Sequence, residues 1–267
     1  MIKRLHRAAC TLFCLASLAA MAAPYEEYAL AAQQFAQLST AAASQHGMPR
    51  RSDPLTAQVL NTLADHRRFL DTQTFSSADM SSLNTMCSQA NQIVIGYLLY
   101  DLAAKVDKSI TDPQRVAAAV AAVGARNALT YQDEMTLVMA FNLRCQARQM
   151  PLLAELTKNL KPEEMTNERR AGLEQMRKGL MQAYLGTAQS AGTSEIRFEN
   201  RRQMMSAMAD VTPSFSQVFD LERREAALKF WLMQAANMPP EFSTQYQQVI
   251  TALRSTQCDI ICGISSK

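Results

Sequence analysis

Apolar residues recur every three or four positions along almost the whole chain, and this spacing constrains the fold more than any other feature. The clearest segment runs from about residue 78 to residue 106. Its predicted buried stripe consists of Met80, Leu83, Met86, Cys87, Ala90, Val94, Tyr97 and Leu98. Such spacing gathers apolar side chains on one face of a helix. The alternation of apolar and polar residues that marks a half-buried strand is not sustained anywhere in the sequence. The sequence therefore predicts an all-α protein without a significant sheet.

Composition and proline positions support the same fold class. The chain has only eight glycines in 267 residues, and its common residues favour helix. Asp53-Pro54 and Asp112-Pro113 each combine an N-cap acid with a first-turn proline. Further helix starts are predicted at Pro151, Pro162, Pro213 and Pro239. These boundaries give about nine helices in a single compact domain over residues 23–267, with a possible soft boundary near 111–113.

The first residues have the pattern of a secretory signal peptide. Lys3, Arg4 and Arg7 precede an apolar run over residues 8–20, and a small-x-small site follows at 20–22. The apolar run is short for a permanent membrane anchor. The sequence therefore predicts a cleaved signal peptide over residues 1–22 and a periplasmic or secreted protein. No later segment predicts a transmembrane span in the mature chain.

Removal of this segment changes the charge of the protein. The whole chain has a formal charge of +3, and Lys3, Arg4 and Arg7 account for all of it. The remaining residues include 24 acidic and equally many basic side chains. Nucleic-acid binders usually carry a net basic balance, because neutralising phosphates supplies much of their affinity. A nucleic-acid partner is therefore not predicted.

Four cysteines remain after the predicted cleavage, namely Cys87, Cys145, Cys258 and Cys262. An even number of cysteines in an oxidising compartment favours two disulfides. Pairing in sequence order is the simplest of three possible connectivities, and the sequence does not choose among them.

Pairs of arginines and one tryptophan supply a candidate partner surface. Its residues are Arg201, Arg202, Arg223, Arg224 and Trp231. Arginine clusters bind anionic groups, and tryptophan is favoured at binding hot spots. The competing interpretation is ion pairing on solvated helix faces for the arginines and core packing for Trp231. Adjacent residues on a helix diverge by about 100°, so an arginine pair does not by itself form a patch.

Other residues give little support to enzymatic or cofactor chemistry. Only His46 and His66 follow the predicted signal, and none of the common catalytic or phosphate-binding motifs occurs. The sequence therefore predicts no metal and no cofactor. Methionines at helical spacing, such as Met135 with Met139 and Met204 with Met208, favour core packing. They also fit an adaptable partner surface or a pocket for an apolar ligand.

One short segment resembles a known enzyme family. Gly179-Leu180-Met181-Gln182, followed by Thr187-Ala188, resembles the G-L-M-Q-x4-T-A segment of lytic transglycosylases, which are α-rich enzymes that cleave peptidoglycan. The resemblance implies Glu164, fifteen residues before Gly179, as the catalytic acid. The serine that follows this glutamate in the family is Met165 here. The resemblance covers fewer than about thirty residues.

These observations predict an exported helical protein that acts by binding another protein of the cell envelope or of a secretion system. Accessory, chaperone, assembly and immunity roles all fit that description. The alternatives are peptidoglycan cleavage through Glu164 and transport of an apolar ligand.

Overall fold

The protein is all-α in the residues that the computed structural model describes, which are 24–71, 74–105, 109, 111–255 and 261–262. These residues contain no strand and ten α-helices, nine of which have ten or more residues. The helices are α1 (Pro24–Ala43), α2 (Pro54–Leu63), α3 (Met80–Leu98), α4 (Leu102–Lys105), α5 (Pro113–Thr130), α6 (Gln132–Lys158), α7 (Asn167–Gly192), α8 (Phe198–Ser216), α9 (Leu221–Gln234) and α10 (Ser243–Arg254). The predicted fold class is confirmed.

Helix α6 is the central element, with α3 on one side and α8 on the other. Cys145 lies opposite Cys87, and Gln149 lies opposite Asn84, so α3 runs antiparallel to α6. Helix α8 runs parallel to α6. Asp133 accepts a hydrogen bond from Asn200 near both N-termini, and Arg144 binds Asp210 further along both helices.

The apolar interior forms two clusters that share α6. The N-terminal cluster contains buried residues of α1, α2 and α3, and the C-terminal cluster contains buried residues of α7 to α10. Phe141 and Cys145 of α6 belong to the first cluster, while Leu143 and Met150 belong to the second. Helix α6 is therefore apolar on two faces and connects both interiors. The predicted soft boundary near 111–113 stays a prediction.

Local capping explains where several helices begin. Asp53 and Asp112 each accept a hydrogen bond from the backbone N–H three residues later, and a proline occupies the first turn in both cases. These two predicted starts are confirmed. The backbone N–H of Thr56 is the main reason that the pKa of Asp53 lies below its usual range, since hydrogen bonds favour the ionised form.

Other predicted boundaries are wrong. Pro151 and Pro213 lie inside α6 and α8 instead of starting helices. The helix that begins at Pro113 ends at Thr130, and α6 begins at Gln132, so the break between them falls at Tyr131. Helix α3 ends at Leu98, earlier than predicted, and Asp101 follows with a φ of 57°. Helices α6 and α8 each pack against neighbouring helices. This packing outweighs the local preference of Pro151 and Pro213 for a helix start.

The core of α3 agrees closely with the sequence pattern, whereas the pattern of α2 is less reliable. Leu83, Cys87 and Tyr97 of the predicted α3 stripe are buried. Leu55 of α2 lies four residues before the buried Val59 and therefore shares its face, but Leu55 is 55% exposed. It lies in the first turn of α2.

A disulfide joins α3 to α6. Cys87 and Cys145 are bonded, with their Cα atoms 5.5 Å apart, which is within the usual range for disulfides. Because Cys87 is bonded to Cys145, the two other possible connectivities are excluded. Cys262 is also disulfide-bonded. Cys258 lies outside the described residues, as does the predicted signal peptide over residues 1–22. No helix among the described residues is long and apolar enough to cross a membrane.

A candidate partner-binding groove

Two of the four arginines in the predicted partner surface are buried and bind backbone carbonyls. Arg201 is 8% exposed and donates to the carbonyl oxygens of Ala191 at 2.8 Å and Asn237 at 2.9 Å. Arg224 is 5% exposed and donates to Phe219 at 3.0 Å and to Ser255 at 2.7 Å. Because helix ends leave carbonyls without intrahelical donors, these guanidinium groups satisfy the ends of helices. Arg201 and Arg224 therefore do not form an exposed surface.

The other three members of the predicted partner surface also have interaction partners within the molecule. Arg202 is exposed and pairs with Glu199, whereas Arg223 binds both Asp220 and Glu174. Trp231 is fully buried, and its indole N–H donates to the Tyr184 hydroxyl at 3.1 Å. Core packing of Trp231 is confirmed, and its placement on a partner surface is wrong. The five residues do not come together on an exposed face.

A third buried arginine, Arg177, was not singled out from the sequence. It is 1% exposed and donates to the carbonyl oxygens of Val218 and Ile261. Burial lowers the pKa of this guanidinium, because a low-dielectric environment penalises the charged form. Arg177 and Arg224 thus each connect the backbone just before α9 to the backbone after α10. The sequence signal, a single arginine in an amphipathic helix, does not distinguish this role from a solvated one.

Glu164 is exposed in a single turn, Pro162–Glu164, before α7. Its carboxylate accepts a hydrogen bond from the backbone N–H of Lys161 at 2.8 Å. This contact is a local capping interaction at the start of a turn. A general acid usually lies in a water-excluding cleft, and Glu164 lines none of the grooves described below.

Three of the four methionines that were predicted to lie in the core are buried. Met135, Met204 and Met208 are at most 3% exposed. They fill the two apolar clusters. His66 contacts the Asp71 carboxylate at 2.9 Å, and Arg148 contacts the same carboxylate at 2.7 Å.

An open groove lies between α3, α6 and α7, and we call it the junction groove. Its volume is about 670 Å³. It is lined by Ser77, Ala78, Met80, Ser81, Asn84, Gln146, Gln149, Met150, Leu153, Met176, Gly179 and Leu180. Three separate helices contribute to it, which explains why no linear motif marks it in the sequence.

The junction groove lies where the two apolar clusters approach each other. Met80 packs against the N-terminal cluster, while Met150 and Leu180 belong to the C-terminal cluster. Ligand sites occur preferentially at such boundaries between packed units, where apolar walls meet a few polar groups. Its position makes this groove the leading candidate for a binding site.

Amide side chains supply the polar groups of the groove, and they are incompletely paired. The Gln149 amide donates to the Asn84 side chain at 3.3 Å, and the Gln146 amide donates to the Asn142 side chain at 3.4 Å. Both contacts are longer than a typical hydrogen bond. The Gln146 Oε1 atom is buried and has no hydrogen-bond partner. This oxygen is covered by protein atoms and is not accessible from the groove.

None of the residues that line the junction groove carries a charge. The described residues also hold no group of three or more His, Cys, Asp or Glu side chains placed to bind a metal. The groove can therefore offer neutral donors and acceptors beside a methionine-rich apolar wall.

Two other grooves are open to solvent. One of about 900 Å³ lies between α8 and α10, and its lining includes Asp210, which is already paired with Arg144. Another of about 660 Å³ lies between α1 and α3 and is lined largely by small residues such as Ala32 and Ala36. Neither lies where the two apolar clusters approach each other.

No protein family, curated protein or solved structure matches this chain. Two residues of the segment that resembles lytic transglycosylases, Gly179 and Leu180, line the junction groove. The geometry and chemistry of the groove are therefore the basis for assigning a function.

Proposed function

We propose that this chain is an exported helical protein that binds another protein of the cell envelope through the junction groove. The observation that carries the proposal is the neutral, methionine-rich lining of the groove at the place where the two apolar clusters meet. Methionine side chains adapt to different partner surfaces, and the exposed Asn84 amide adds hydrogen-bonding groups to this lining. The export half of the proposal depends on the signal-like pattern of residues 1–22.

A photoreactive amino acid at Ser81 tests the binding site in living cells. Ser81 is exposed and lines the groove, whereas Ser88 is exposed on the same helix and does not line it. Irradiation should join the Ser81 variant to one exported protein, and the Ser88 variant should give no such product.

Equal cross-linking from Ser81 and Ser88 would contradict binding in the groove, and so would a failure to cross-link from Ser81. The cellular location is measured separately by cell fractionation, and signal cleavage is measured by the mass of the purified protein. We expect an envelope protein whose N-terminus is Ala23. A cytoplasmic protein that retains residues 1–22 would overturn the export half.

A further inference from the structure

We infer that the exposed face of α9 binds a second copy of this chain, with the two helices antiparallel about a two-fold axis. This face, which we call the α9 face, consists of Leu221, Glu225, Lys229 and Leu232, all of which are exposed. The inference goes beyond the proposed function, because α9 contributes no residue to the junction groove. It depends on the position of these residues on the helix, on the two leucines and on the two charges between them.

The four residues of the α9 face lie on one side of the helix. Each residue of an α-helix turns by about 100°, so positions 221, 225, 229 and 232 fall within about 80° of one another. Arg224, Ala227 and Trp231 form the buried side of α9. At a rise of about 1.5 Å per residue, the α9 face is about 16 Å long. It therefore extends over nearly the whole helix.

Exposed apolar side chains are concentrated on α9. Leu221 is 71% exposed and Leu232 is 49% exposed, and Met233 beside it is also exposed. Among the described residues, ten large apolar side chains are exposed, and these three share a helix of 14 residues. A single exposed leucine is ordinary. Several on one helix face, with a leucine at each end, are typical of an interaction surface.

Glu225 and Lys229 carry opposite charges between the two leucines. Neither side chain has an ion-pair partner in the part of the chain that the structure describes, whereas the nearby Arg223 binds both Asp220 and Glu174. The two charges are therefore available to a partner that presents a cation opposite Glu225 and an anion opposite Lys229.

The order Leu, Glu, Lys, Leu along this face is complementary to itself when two helices run antiparallel. Positions 221 and 232 and positions 225 and 229 are both centred at 226–227. A two-fold axis at this midpoint places Leu221 opposite Leu232 of the second copy, and Glu225 opposite Lys229 of the second copy. Each contact then occurs twice, as in the isologous interfaces of two-fold dimers. A parallel arrangement would instead place like charges opposite each other, which is unfavourable.

Sedimentation of the exported, oxidised protein over a range of concentrations tests the self-association. We expect a monomer–dimer equilibrium with a dissociation constant in the micromolar range, because a single helix face gives a small interface. Leu232→Glu should weaken the dimer at least about tenfold, since a carboxylate then faces Leu221 twice in each dimer. Leu30→Glu is the matched control, because Leu30 is an exposed leucine of α1, and its dimerisation should equal that of the wild type.

Reversal of the two charges tests the antiparallel pairing. Glu225→Lys alone and Lys229→Glu alone each place like charges opposite each other across the axis, so each dimer should be at least about tenfold weaker. The Glu225→Lys/Lys229→Glu double variant should regain wild-type dimerisation, because opposite charges face each other again. Restoration in the double variant also shows that the single variants do not lose the dimer through misfolding.

Several outcomes would overturn the inference. A protein that sediments as a monomer at every concentration would reject the second copy as the occupant, including when the α9 face captures a different exported protein. A dimer that Leu232→Glu leaves unchanged would place the interface elsewhere. Single charge reversals without any loss would reject the antiparallel pairing, since in a parallel dimer like charges already face each other. A loss that the double variant does not restore would reject it as well.

Discussion

At the scale of single residues, Arg201 and Arg202 show how adjacent identical side chains acquire different roles. Arg201 is buried and satisfies two carbonyls, while Arg202 is exposed and pairs with Glu199. We expect Arg201→Met to lower the free energy of unfolding by about 2–4 kcal/mol, because buried carbonyls lose charged donors. The Arg202→Met control should change it by less than about 0.5 kcal/mol. Urea denaturation measures both values, and equal effects would contradict the assigned roles.

Asp71 gives a residue-scale prediction about pH. Burial raises its pKa, but hydrogen bonds from Arg148 and His66 and the charges of those two groups outweigh burial, so the pKa lies below its usual range. A carboxyl with a lowered folded-state pKa contributes stability above its unfolded pKa of about 3.9, and this contribution is lost as the pH falls through the folded value.

We therefore expect Asp71→Asn to reduce the free energy of unfolding by about 0.5 kcal/mol at pH 7, a small value because the side chains of this cluster are 30–48% exposed. The difference should vanish near pH 2. Urea titrations at several pH values measure it, and an undiminished difference at acidic pH would contradict the electrostatic origin.

At the scale of elements, the local sequence predicts helix content and two of the proline-marked starts but not every boundary. Asp112-Pro113 begins α5 because the cap and the proline act within one turn. Pro151 lies inside α6, where packing on both faces of the helix decides the outcome. The junction groove could not be predicted from the sequence for a similar reason. Its Asn, Gln, Ser and Met residues are individually ordinary, and only the packing of three helices brings them together.

The disulfide between α3 and α6 is expected to contribute to the free energy of unfolding. It closes a loop with a sequence separation of 58 residues. A Cys87→Ala/Cys145→Ala double variant should lose about 2–4 kcal/mol of unfolding free energy, since its unfolded chain gains conformational freedom. Urea denaturation of the oxidised wild type and of the variant provides the comparison. Equal stabilities would show that the cross-link does not constrain the unfolded chain as expected.

At the scale of the whole molecule, the shared helix α6 makes the two apolar clusters dependent on each other. Leu60 of α2 is fully buried in the N-terminal cluster, and Trp231, the single tryptophan of the chain, is fully buried in the C-terminal cluster. We expect Leu60→Ala to lower the unfolding free energy by about 2–4 kcal/mol through a cavity in the first cluster. Because α6 contributes to both interiors, the loss should also shift the Trp231 fluorescence transition to lower urea.

The two signals together decide whether residues 24–255 behave as one cooperative unit. In the wild type and in Leu60→Ala, the Trp231 transition and the loss of helical circular dichroism should coincide, as they do when unfolding is all-or-none. Phe215→Leu, in the C-terminal cluster with Trp231, is the reciprocal control and should shift both signals equally. A Trp231 transition that stays in place while the circular dichroism splits into two steps would show that the clusters unfold independently. In that case α6 would only link two separate folding units, and the junction groove between them would depend on their relative position rather than on a single rigid core.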